Sequence, residues 1–279
     1  MTARVSSLTN TSNRGGFRSN VQKAKRANRR GNGLLGGVGS ILIILAAWEV
    51  LSSWIFPSIL VPSFSQVLIK AYDLFITGEI FQHIWASLQR IVLGFLIGSA
   101  VGAPIGLLMG SSRMARNLLD PIVQFFRFVP PIAWLTPAVI WFGIGETSKI
   151  VIIFYTTVFI VAINASLGVI NIPKNKLLAA ETLGASKLQS FFYVVIPASL
   201  PFILAGMRLA MGNSFATVVS AEMIAADTGL GYLIFNSRLW MATDIIFVAI
   251  LLLGFLGLLT DLLFRSAIRR FAGKYGPID

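Results

Sequence analysis

Two arginines stand inside strongly apolar stretches of this sequence, where a charge is costly. Arg127 lies about two helical turns into one stretch and Arg208 about three turns into another. Because lipid cannot solvate a guanidinium group, both side chains should face protein or water. A guanidinium fork matches the oxygens of sulfonate, carboxylate or nitrate, so these arginines would suit a cavity for an anion. For each arginine the alternative is pairing with an interior acid or a helix-end carbonyl, or reaching to the headgroups.

The sequence lacks the residue patterns of common enzymes. It has no GxxxxGK[ST] phosphate loop and no HExxH motif, so we do not expect this chain to hydrolyse ATP or to hold a catalytic zinc. The absence of cysteine excludes disulfides and thiolate chemistry. His83 is the sole histidine and, being close to Trp85, is interpreted as an interfacial residue. We predict that the chain is not itself an enzyme and carries no metal or cofactor.

The composition is that of an integral membrane protein. Hydrophobic residues make up 56% of the 279 residues, charged residues make up 12%, and the mean hydropathy is +0.79. An ordinary soluble domain is far less apolar. We predict an all-α, polytopic membrane fold with six transmembrane helices, each near the roughly 20 residues that cross a bilayer. The predicted spans are 34–56, 91–109, 121–144, 150–172, 196–219 and 245–264.

The basic residues indicate the orientation of these spans. Segments 1–33, 111–119, 173–195 and 265–279 contain 17 of the 23 Lys and Arg. Since cytosolic segments are enriched in these residues, both termini are predicted to be cytosolic. Residues 1–33 hold eight basic residues and no acidic one. We interpret this arm as disordered and close to anionic lipid, with nucleic-acid binding as the alternative.

The stretch between the fourth and fifth spans predicts two short helices joined by a glycine elbow. Pro173 suits a first helical turn, and Gly184 is the residue expected just past a helix end. Ser186 and Gln189 have the spacing of a capping box for the second helix. Pro197 allows the next helix to begin there but should prevent a helix from running unbroken through it. A stiff elbow of this kind suits contact with a partner protein.

The third span contains prolines that should interrupt its helix. Pro130, Pro131 and Pro137 have no N–H to donate, so carbonyls are freed that neighbouring groups or cavity water must satisfy. Broken helices at membrane depth are typical of transport pathways. Asp120, directly before Pro121, is predicted to cap this span.

Three further features concern packing. The second span has a glycine at every fourth position from Gly94 to Gly110, and we predict close approach of another helix to this face, with pore lining as the alternative. Residues 57–79 predict an amphipathic helix that lies along the membrane or over the bundle, with substrate gating as the alternative. The residues on the apolar side of this helix are Val67, Leu68, Ala71 and Leu74. Arg90, near the outer end of the second span, is interpreted as an interface anchor.

The elbow resembles the EAA loop, with which inner-membrane permeases of ATP-binding-cassette (ABC) importers dock their ATPase. The positions that match its spacing are Ala179, Ala180, Gly184, Val194, Ile196 and Pro197. Leu178 stands where that family has Glu, and Glu181 follows three residues later. The resemblance implies ATPase docking by Leu178, Ala179, Ala180, Glu181, Gly184, Ala185, Ser186 and Pro197.

The third span resembles permeases of the nitrate, sulfonate and taurine importer family, in which an Arg-x-Val-Pro-Pro-x-Ala-Trp pattern is followed by Trp-Phe-Gly-Ile and Ser-Lys. Here the pattern begins at Arg127, and SLQR (87–90), GMRLAMG (206–212) and AEMIAADTGLGYLI (221–234) match too. The similarity covers roughly residues 62–270. We place a candidate substrate pathway at Arg127, Pro130, Pro131, Trp134, Arg208, Asn213 and Glu222.

This resemblance implies a type I ABC importer permease in a bacterial inner membrane. It would form a homodimer with two ATPase subunits, which carry ATP and Mg²⁺, docked on the two elbows. A periplasmic or lipid-anchored binding protein would meet the outer face near Glu222 and Asp227, and nucleic acid is not an expected partner. Taurine or an alkanesulfonate is the expected substrate, followed by nitrate, cyanate or bicarbonate.

The predicted layout is a basic arm (1–33), a first span with an external segment (34–85), a permease core with the elbow at 173–197 (86–270) and a cytosolic tail (271–279). The alternative function is a secondary transporter that works without an ATPase. Such a transporter should carry several ionisable groups inside its spans, and the sequence offers few acids there.

Overall fold

The computed structural model describes residues 39–54, 57 and 59–272, and within this part every regular element is helical. The predicted basic arm and residues 273–279 lie outside the described residues. The predicted all-α fold is confirmed. In chain order the helices are α1 (Gly39–Trp54), α2 (Phe64–Thr77), α3 (Glu79–Ser111), α4 (Arg113–Phe128), α5 (Leu135–Phe142), α6 (Glu146–Ile170), α7 (Lys174–Thr182), α8 (Lys187–Ser190), α9 (Ile196–Ala225), α10 (Leu230–Leu239) and α11 (Thr243–Ala272).

Several of these helices are long and apolar enough to cross a membrane. Four qualify singly, namely α3, α6, the continuous helix Lys187–Ala225 and α11, and a fifth candidate is the pair α4 and α5, bent by 94°. α1 is a shorter apolar helix, and its predicted span, 34–56, extends on both sides beyond the described residues. The described part of the chain therefore supports four or five of the six predicted spans.

The start of α3 differs from the prediction. This helix begins at Glu79 and not at residue 91, because Gly78 adopts the left-handed conformation (φ +81°) and separates it from α2. Its first turns mix polar and apolar residues, and two of the polar ones, His83 and Ser87, are buried. Hydropathy alone therefore placed the start too late. The interpretation of His83 as an interfacial residue is wrong, since its ring is enclosed by protein.

The described residues form two compact units that divide between Gln66 and Val67. In the first unit, Glu49 of α1 accepts hydrogen bonds from Ser65 N (3.1 Å) and Ser65 Oγ (2.7 Å). This carboxylate thus satisfies an N–H group at the start of α2 that has no partner within the helix. Trp48 Nε1 also donates to the Pro62 carbonyl at 3.1 Å. Within the first unit, these bonds hold α1 to Pro62 and Ser65.

In the second unit, the glycine face of α3 packs directly on α6. A Cβ placed on Gly94 would lie 2.6 Å from Ile153 Cβ, and one placed on Gly98 would lie 2.6 Å from Thr157 Cβ. Real Cβ atoms do not approach so closely, so glycine is required for this helix pair to form. The predicted close packing is confirmed. This face is covered by α6 and does not line a pore.

The predicted cap of the third span is wrong. α4 begins at Arg113, and its cap is Ser112, whose Oγ accepts from Ala115 N at 3.3 Å. Asp120 and Pro121 lie in the interior of α4, where Gln124 Nε2 donates to Asp120 Oδ1 at 3.4 Å. The polar turns before Asp120 continue the helix, a feature that a search for an apolar window does not detect.

Candidate functional site

The first helix of the elbow, α7, ends as the sequence predicts. Gly184 has φ +76°, a left-handed conformation that favours glycine. Gly184 N donates to the Glu181 carbonyl at 2.9 Å, and Ala185 N donates to the Ala180 carbonyl at 3.0 Å. These two bonds form a Schellman motif, which satisfies the last carbonyls of the helix and fixes the direction of the chain that follows.

The second helix of the elbow begins at once. Ser186 Oγ accepts from Gln189 N at 3.3 Å, and Ser186 N donates to Gln189 Oε1 at 2.8 Å. The predicted capping box is confirmed in both of its bonds. The elbow is therefore closed at the end of one helix and at the start of the next, because the Schellman motif ends at Ala185 and the capping box begins at Ser186.

α9 begins at Ile196 with Pro197 in its first turn, as predicted, but the helix is not broken there, contrary to the second part of the prediction. α8 continues through a π-helical turn, Phe191–Val195, into α9, so that one helix runs from Lys187 to Ala225. The π turn shifts the hydrogen-bond pattern just ahead of Pro197, which has no N–H to donate. The second helix of the elbow is thus continuous with a membrane-crossing helix.

The elbow exposes large apolar side chains. Leu183 is 87% exposed and Tyr193 is 80% exposed, and Leu178, Leu188 and Phe192 are exposed as well. Of the predicted docking residues, Ala180 is buried inside the elbow and Ala185 and Pro197 are half-buried. The others are exposed, namely Leu178, Ala179, Glu181, Gly184 and Ser186. Exposed apolar groups on a rigid turn are typical of a protein-binding surface.

The third span is broken where the prolines predict. α4 ends at Phe128, and a 3₁₀ turn, Pro131–Trp134, leads into α5 at a bend of 94°. Pro130 is exposed, and Pro131 and Trp134 are half-buried. Pro137 does not interrupt a helix, contrary to the prediction, because it lies in the first turn of α5, where its missing N–H would have no acceptor.

Aromatic residues surround this break. The ring of Trp134 lies 5.9 Å from that of Phe126, 5.6 Å from that of Tyr155 and 6.2 Å from that of Trp141. Tyr155 Oη donates to the Phe126 carbonyl and, at 3.3 Å, to the Val129 carbonyl. A hydroxyl from α6 thus satisfies carbonyls at the end of α4. Sequence reasoning did not single out Tyr155, although a polar aromatic in an apolar span is a recognisable signal.

Besides Pro130, two of the predicted pathway residues have exposed side chains, Arg127 and Asn213. Arg127 lies over the ring of its neighbour Phe128, with Cζ 4.7 Å from the ring centre. Asn213 Nδ2 donates to the Leu209 carbonyl, one turn earlier in α9, at 3.1 Å. Both residues are open to a ligand or to a partner, and their place in a pathway stays a prediction.

Arg208 pairs with an acid inside the protein. Its Nε donates to Asp261 Oδ1 at 2.5 Å and its Nη2 donates to Oδ2 at 3.3 Å. Arg265 Nε lies 2.9 Å from Asp261 Oδ2. This arrangement joins α9 to α11 and corresponds to the alternative of an interior partner. The Arg208 side chain nevertheless keeps 32% of its surface exposed.

Arg90 is not an interface anchor, contrary to the prediction. Its side chain is 3% exposed and lies between two glutamates. Nε and Nη2 donate to the two oxygens of Glu146 at 2.6 and 2.7 Å, and Nη1 donates to Glu222 Oε1 at 2.7 Å. Nη1 also donates to the Thr228 carbonyl at 2.6 Å. Lys149 Nζ donates to Glu146 Oε1 at 3.0 Å, which adds a second cation.

Glu222 is fully buried within this cluster, which overturns its placement beyond the fifth span, since α9 extends to Ala225. Both of its oxygens accept from Ser87 Oγ at 2.9 Å, and Oε2 accepts from Gly231 N at 2.9 Å. Gly229 N donates to His83 Nδ1 at 3.1 Å. The loop between α9 and α10 is thus fixed to α3. Of the predicted outer-face pair, Asp227 is the exposed member.

A comparison with protein families decides the identity of the chain. The family described as "Binding-protein-dependent transport system inner membrane component" matches residues 98–273, which include the broken span and the elbow. This chain belongs to that family. It is therefore a multi-pass inner-membrane permease of an ABC importer.

Several relatives of this permease carry a transport activity in their names. The taurine transport system permease protein TauC of Escherichia coli is 36% identical over 248 residues, 87% of this chain and 90% of TauC. The putative aliphatic sulfonates transport permease protein SsuC of the same species is 38% identical over 220 residues, 78% of this chain and 83% of SsuC. The nitrate import permease protein NrtB of Synechocystis sp. is 34% identical over 232 residues, 80% of this chain and 83% of NrtB.

The fold of the permease also matches a solved structure. The methionine ABC transporter MetNI, in an inward-facing conformation, has a chain that superimposes with a TM-score of 0.62 at 20% identity. The match covers 72% of the permease and 98% of that chain. The predicted importer-permease fold is thereby confirmed.

Sequence reasoning missed most members of the buried cluster in this permease. Ser87 and Arg90 lie in SLQR, Glu146 and Lys149 lie next to the predicted start of the fourth span, and Thr228 lies in the AEMIAADTGLGYLI segment. Each stretch combines polar residues with the end of an apolar span. That signal is visible in the sequence, but the spacing along the chain does not indicate that these stretches contact one another in the fold.

Proposed function

We propose that this permease forms the translocation path of an ATP-driven importer for a small anion and that its elbow docks the ATPase. The observation that carries the proposal is the elbow itself. It is closed by a Schellman motif and a capping box, exposes Leu183 and Tyr193, and continues into a membrane-crossing helix. A stiff body with an apolar surface is what transmission of a movement between two subunits requires.

The proposed assembly is a homodimer with two ATPase subunits on the two elbows and a periplasmic or lipid-anchored binding protein outside. Both termini would lie in the cytosol, and ATP and Mg²⁺ would be bound in the ATPase. Closure of the ATPase dimer on ATP would draw the two elbows together and turn the cavity outward, and hydrolysis would reset it. The elbow couples ATP binding to the opening of the cavity because the open and closed states of the ATPase dimer bind the elbow with different free energies.

The proposed substrate is taurine or an alkanesulfonate, followed by nitrate, cyanate or bicarbonate. Two of the relatives carry taurine or aliphatic sulfonates in their names, and a third carries nitrate. The exposed Arg127 and the partly exposed Arg208 are cations that a small oxyanion could reach. One guanidinium group can bind two oxygens of such an anion through two parallel hydrogen bonds.

The docking role predicts a strong effect at Gly184. Gly184→Val should abolish recovery of the ATPase with the permease, because a β-branched residue strains the backbone at φ +76° and the elbow loses its shape. No atom lies within 4 Å of the position where a Cβ would stand, so a steric clash does not contribute. The measurement is a pull-down of the ATPase with tagged permease from membranes in which insertion has been verified.

Gly184→Asn is the matched control for this experiment. Asn also adds a side chain but tolerates the left-handed conformation, so ATPase recovery should stay near that of the wild type. Normal recovery with Gly184→Val would refute the docking role. Loss of ATPase recovery with both variants would show that docking needs a surface without a side chain at position 184, whatever the backbone conformation.

The substrate is tested by ATP hydrolysis of the complex in lipid, with its ATPase and binding protein present. Taurine, alkanesulfonates, nitrate and bicarbonate are supplied in turn, and stimulation by one of them identifies the anion. A flat response with the ATPase bound would refute these substrates and leave the docking role intact. Uptake by the permease alone, without any ATPase, would favour a secondary transporter and refute the proposal.

A further inference from the structure

The carboxylate of Glu146 occupies a position bounded by two buried cations. Oε2 accepts from Arg90 Nε at 2.6 Å, and Oε1 accepts from Arg90 Nη2 at 2.7 Å and from Lys149 Nζ at 3.0 Å. The side chains of Arg90 and Lys149 are 3% and 4% exposed. A planar pair of oxygens held by a guanidinium edge and an ammonium group is the arrangement in which proteins bind oxyanions.

The two glutamates of the cluster differ in how firmly they are held. The Glu222 side chain is 0% exposed and accepts from Ser87 and Gly231 as well as from Arg90, so it is fixed by the surrounding helices. The Glu146 side chain is 59% exposed. Water therefore reaches the Glu146 carboxylate, and this group can leave without opening the protein core.

The backbone near Glu146 allows such a movement. Glu146 is the first residue of α6 and follows Gly143 and Gly145, and no atom lies within 4 Å of the Cβ position at either glycine. Gly143 has φ +80°. Glycines in open space permit backbone rotation at low cost. The free N–H groups of the first turn of α6 add partial positive charge at the same place.

We propose that the position of the Glu146 carboxylate is a binding site for a small oxyanion, which displaces Glu146 and takes its place between Arg90 and Lys149. The ligand class is a monoanion with at least two oxygens on one face, such as a sulfonate or nitrate. The proposal rests on the proposed function in one respect, because it takes the anion that the permease transports as the natural ligand of this site.

The charges of the cluster support a monoanion. Arg90 and Lys149 together carry two positive charges, and the buried Glu222, which pairs with Arg90, compensates one of them. With Glu146 displaced, one positive charge is left inside the protein without compensation, and a buried charge of this kind is costly. One bound monoanion restores neutrality. Glu146 then acts as an internal competitor that keeps the site occupied between ligands.

The test uses the absence of cysteine from the chain, since Glu146→Cys introduces one thiol into each permease chain, and modification is measured on the permease chain alone. The permease–ATPase complex in lipid nanodiscs is treated with 2-sulfonatoethyl methanethiosulfonate, which carries a sulfonate, or with the trimethylammonium analogue, which carries a cation. Thr147→Cys, at the exposed neighbouring position, is the matched control and corrects for the intrinsic reactivities of the two reagents.

We expect the ratio of anionic to cationic modification rates to be at least about tenfold higher for Glu146→Cys than for Thr147→Cys, which corresponds to one charge-assisted contact. Methanesulfonate should slow modification at position 146 and leave position 147 unaffected. Equal ratios at the two positions, or no protection by methanesulfonate, would overturn the proposal.

A second measurement covers the case in which Glu146→Cys does not insert. Binding of radiolabelled methanesulfonate to the complex should tighten about tenfold in Glu146→Gln, which removes the competing charge, and weaken in Lys149→Met. Arg238→Gln, which removes a cation that lies over Phe235 and outside the cluster, should leave the binding constant unchanged. Unchanged binding in both Glu146→Gln and Lys149→Met would overturn the proposal.

These outcomes are separable from those of the proposed function. Charge-selective modification without transport of any anion in the panel would support the site and refute the substrates. Anion-stimulated ATP hydrolysis without charge selectivity at position 146 would support the importer and overturn the site.

Discussion

Arg90 and Arg208 both lie in membrane-crossing helices and both hold a carboxylate with Nε and one Nη group, yet their surroundings differ. The Arg90 side chain is 3% exposed and bonds to two glutamates and to the Thr228 carbonyl. The Arg208 side chain is 32% exposed and bonds to Asp261, which also accepts from Arg265. The same chemical pair therefore occurs once with a buried arginine, which we call the closed setting although Glu146 itself is exposed, and once with a partly exposed arginine, which we call the open setting.

The difference shows what each arginine can do. Arg90 connects α3 to the start of α6, to α9 and to the loop before α10, so its loss would disturb three connections together. Arg208 connects α9 to α11 and keeps a surface that water or a ligand can reach. We infer that Arg90 holds the fold through its bonds to Glu222 and to the Thr228 carbonyl, whereas its bonds to the exposed Glu146 can be exchanged for an anion. The Arg208–Asp261 pair is open and free to take part in transport.

The largest expected effect is at Arg90. Arg90→Met should lower the free energy of unfolding by about 3–5 kcal/mol, because the fully buried Glu222 carboxylate loses its cation. The measurement is thermal unfolding of the purified permease in detergent, together with the yield from membranes. A midpoint close to that of the wild type would show that Ser87 and Gly231 suffice to hold the Glu222 carboxylate. Pairing with the buried Arg90 would then contribute nothing to the stability of the permease.

A double variant sharpens this result. Arg90→Met with Glu222→Gln removes the unpaired charge as well, so it should recover part of the stability that Arg90→Met loses. Equal losses in the single and double variants would mean that the cluster acts through packing and not through charge.

Arg208→Gln should have a smaller effect and of another kind. It should lower anion uptake severalfold, up to about tenfold, because one charge-assisted contact to the anion is lost. ATPase assembly and thermal unfolding should stay near wild type, because partly exposed ion pairs contribute little to stability. Uptake is measured in cells or vesicles, with pull-down of the ATPase as the control for assembly. Unchanged uptake would count against a pathway role for Arg208, and a collapse in stability would show that the two arginine sites are alike.

The parts of the molecule that the sequence predicts are those with a local physical cause. The left-handed turn at Gly184, the capping box at Ser186 and the break at Pro130 each depend on residues within a few positions. The glycine face of α3 is also visible, because its four-residue period needs no knowledge of the partner helix. Such features follow from backbone geometry alone.

The buried cluster could not be predicted in the same way. Arg90 and Glu222 are separated by 132 positions in the chain, and their contact depends on how α3, α6 and α9 pack. Hydropathy placed Arg90 at the membrane interface because it scores a charge without regard to a distant partner. For Asp120 the failure was different, since a favourable capping pair lay inside a longer helix that Ser112 begins.

The smallest expected effect is at Arg265. This residue tests whether Arg208 acts on the anion by direct contact or through the net charge of the group. Arg265 is an exposed residue, 48% of its side chain surface being accessible, and it bonds to Asp261 from one turn away in the same helix. Arg265→Gln should leave uptake and thermal unfolding unchanged, because Arg208 still holds both oxygens of Asp261 and an exposed pair four residues apart contributes little. A loss of uptake as large as that of Arg208→Gln would instead mean that the net positive charge of the three groups matters. The open site would then act on the anion through its charge and not through the contact of Arg208 alone.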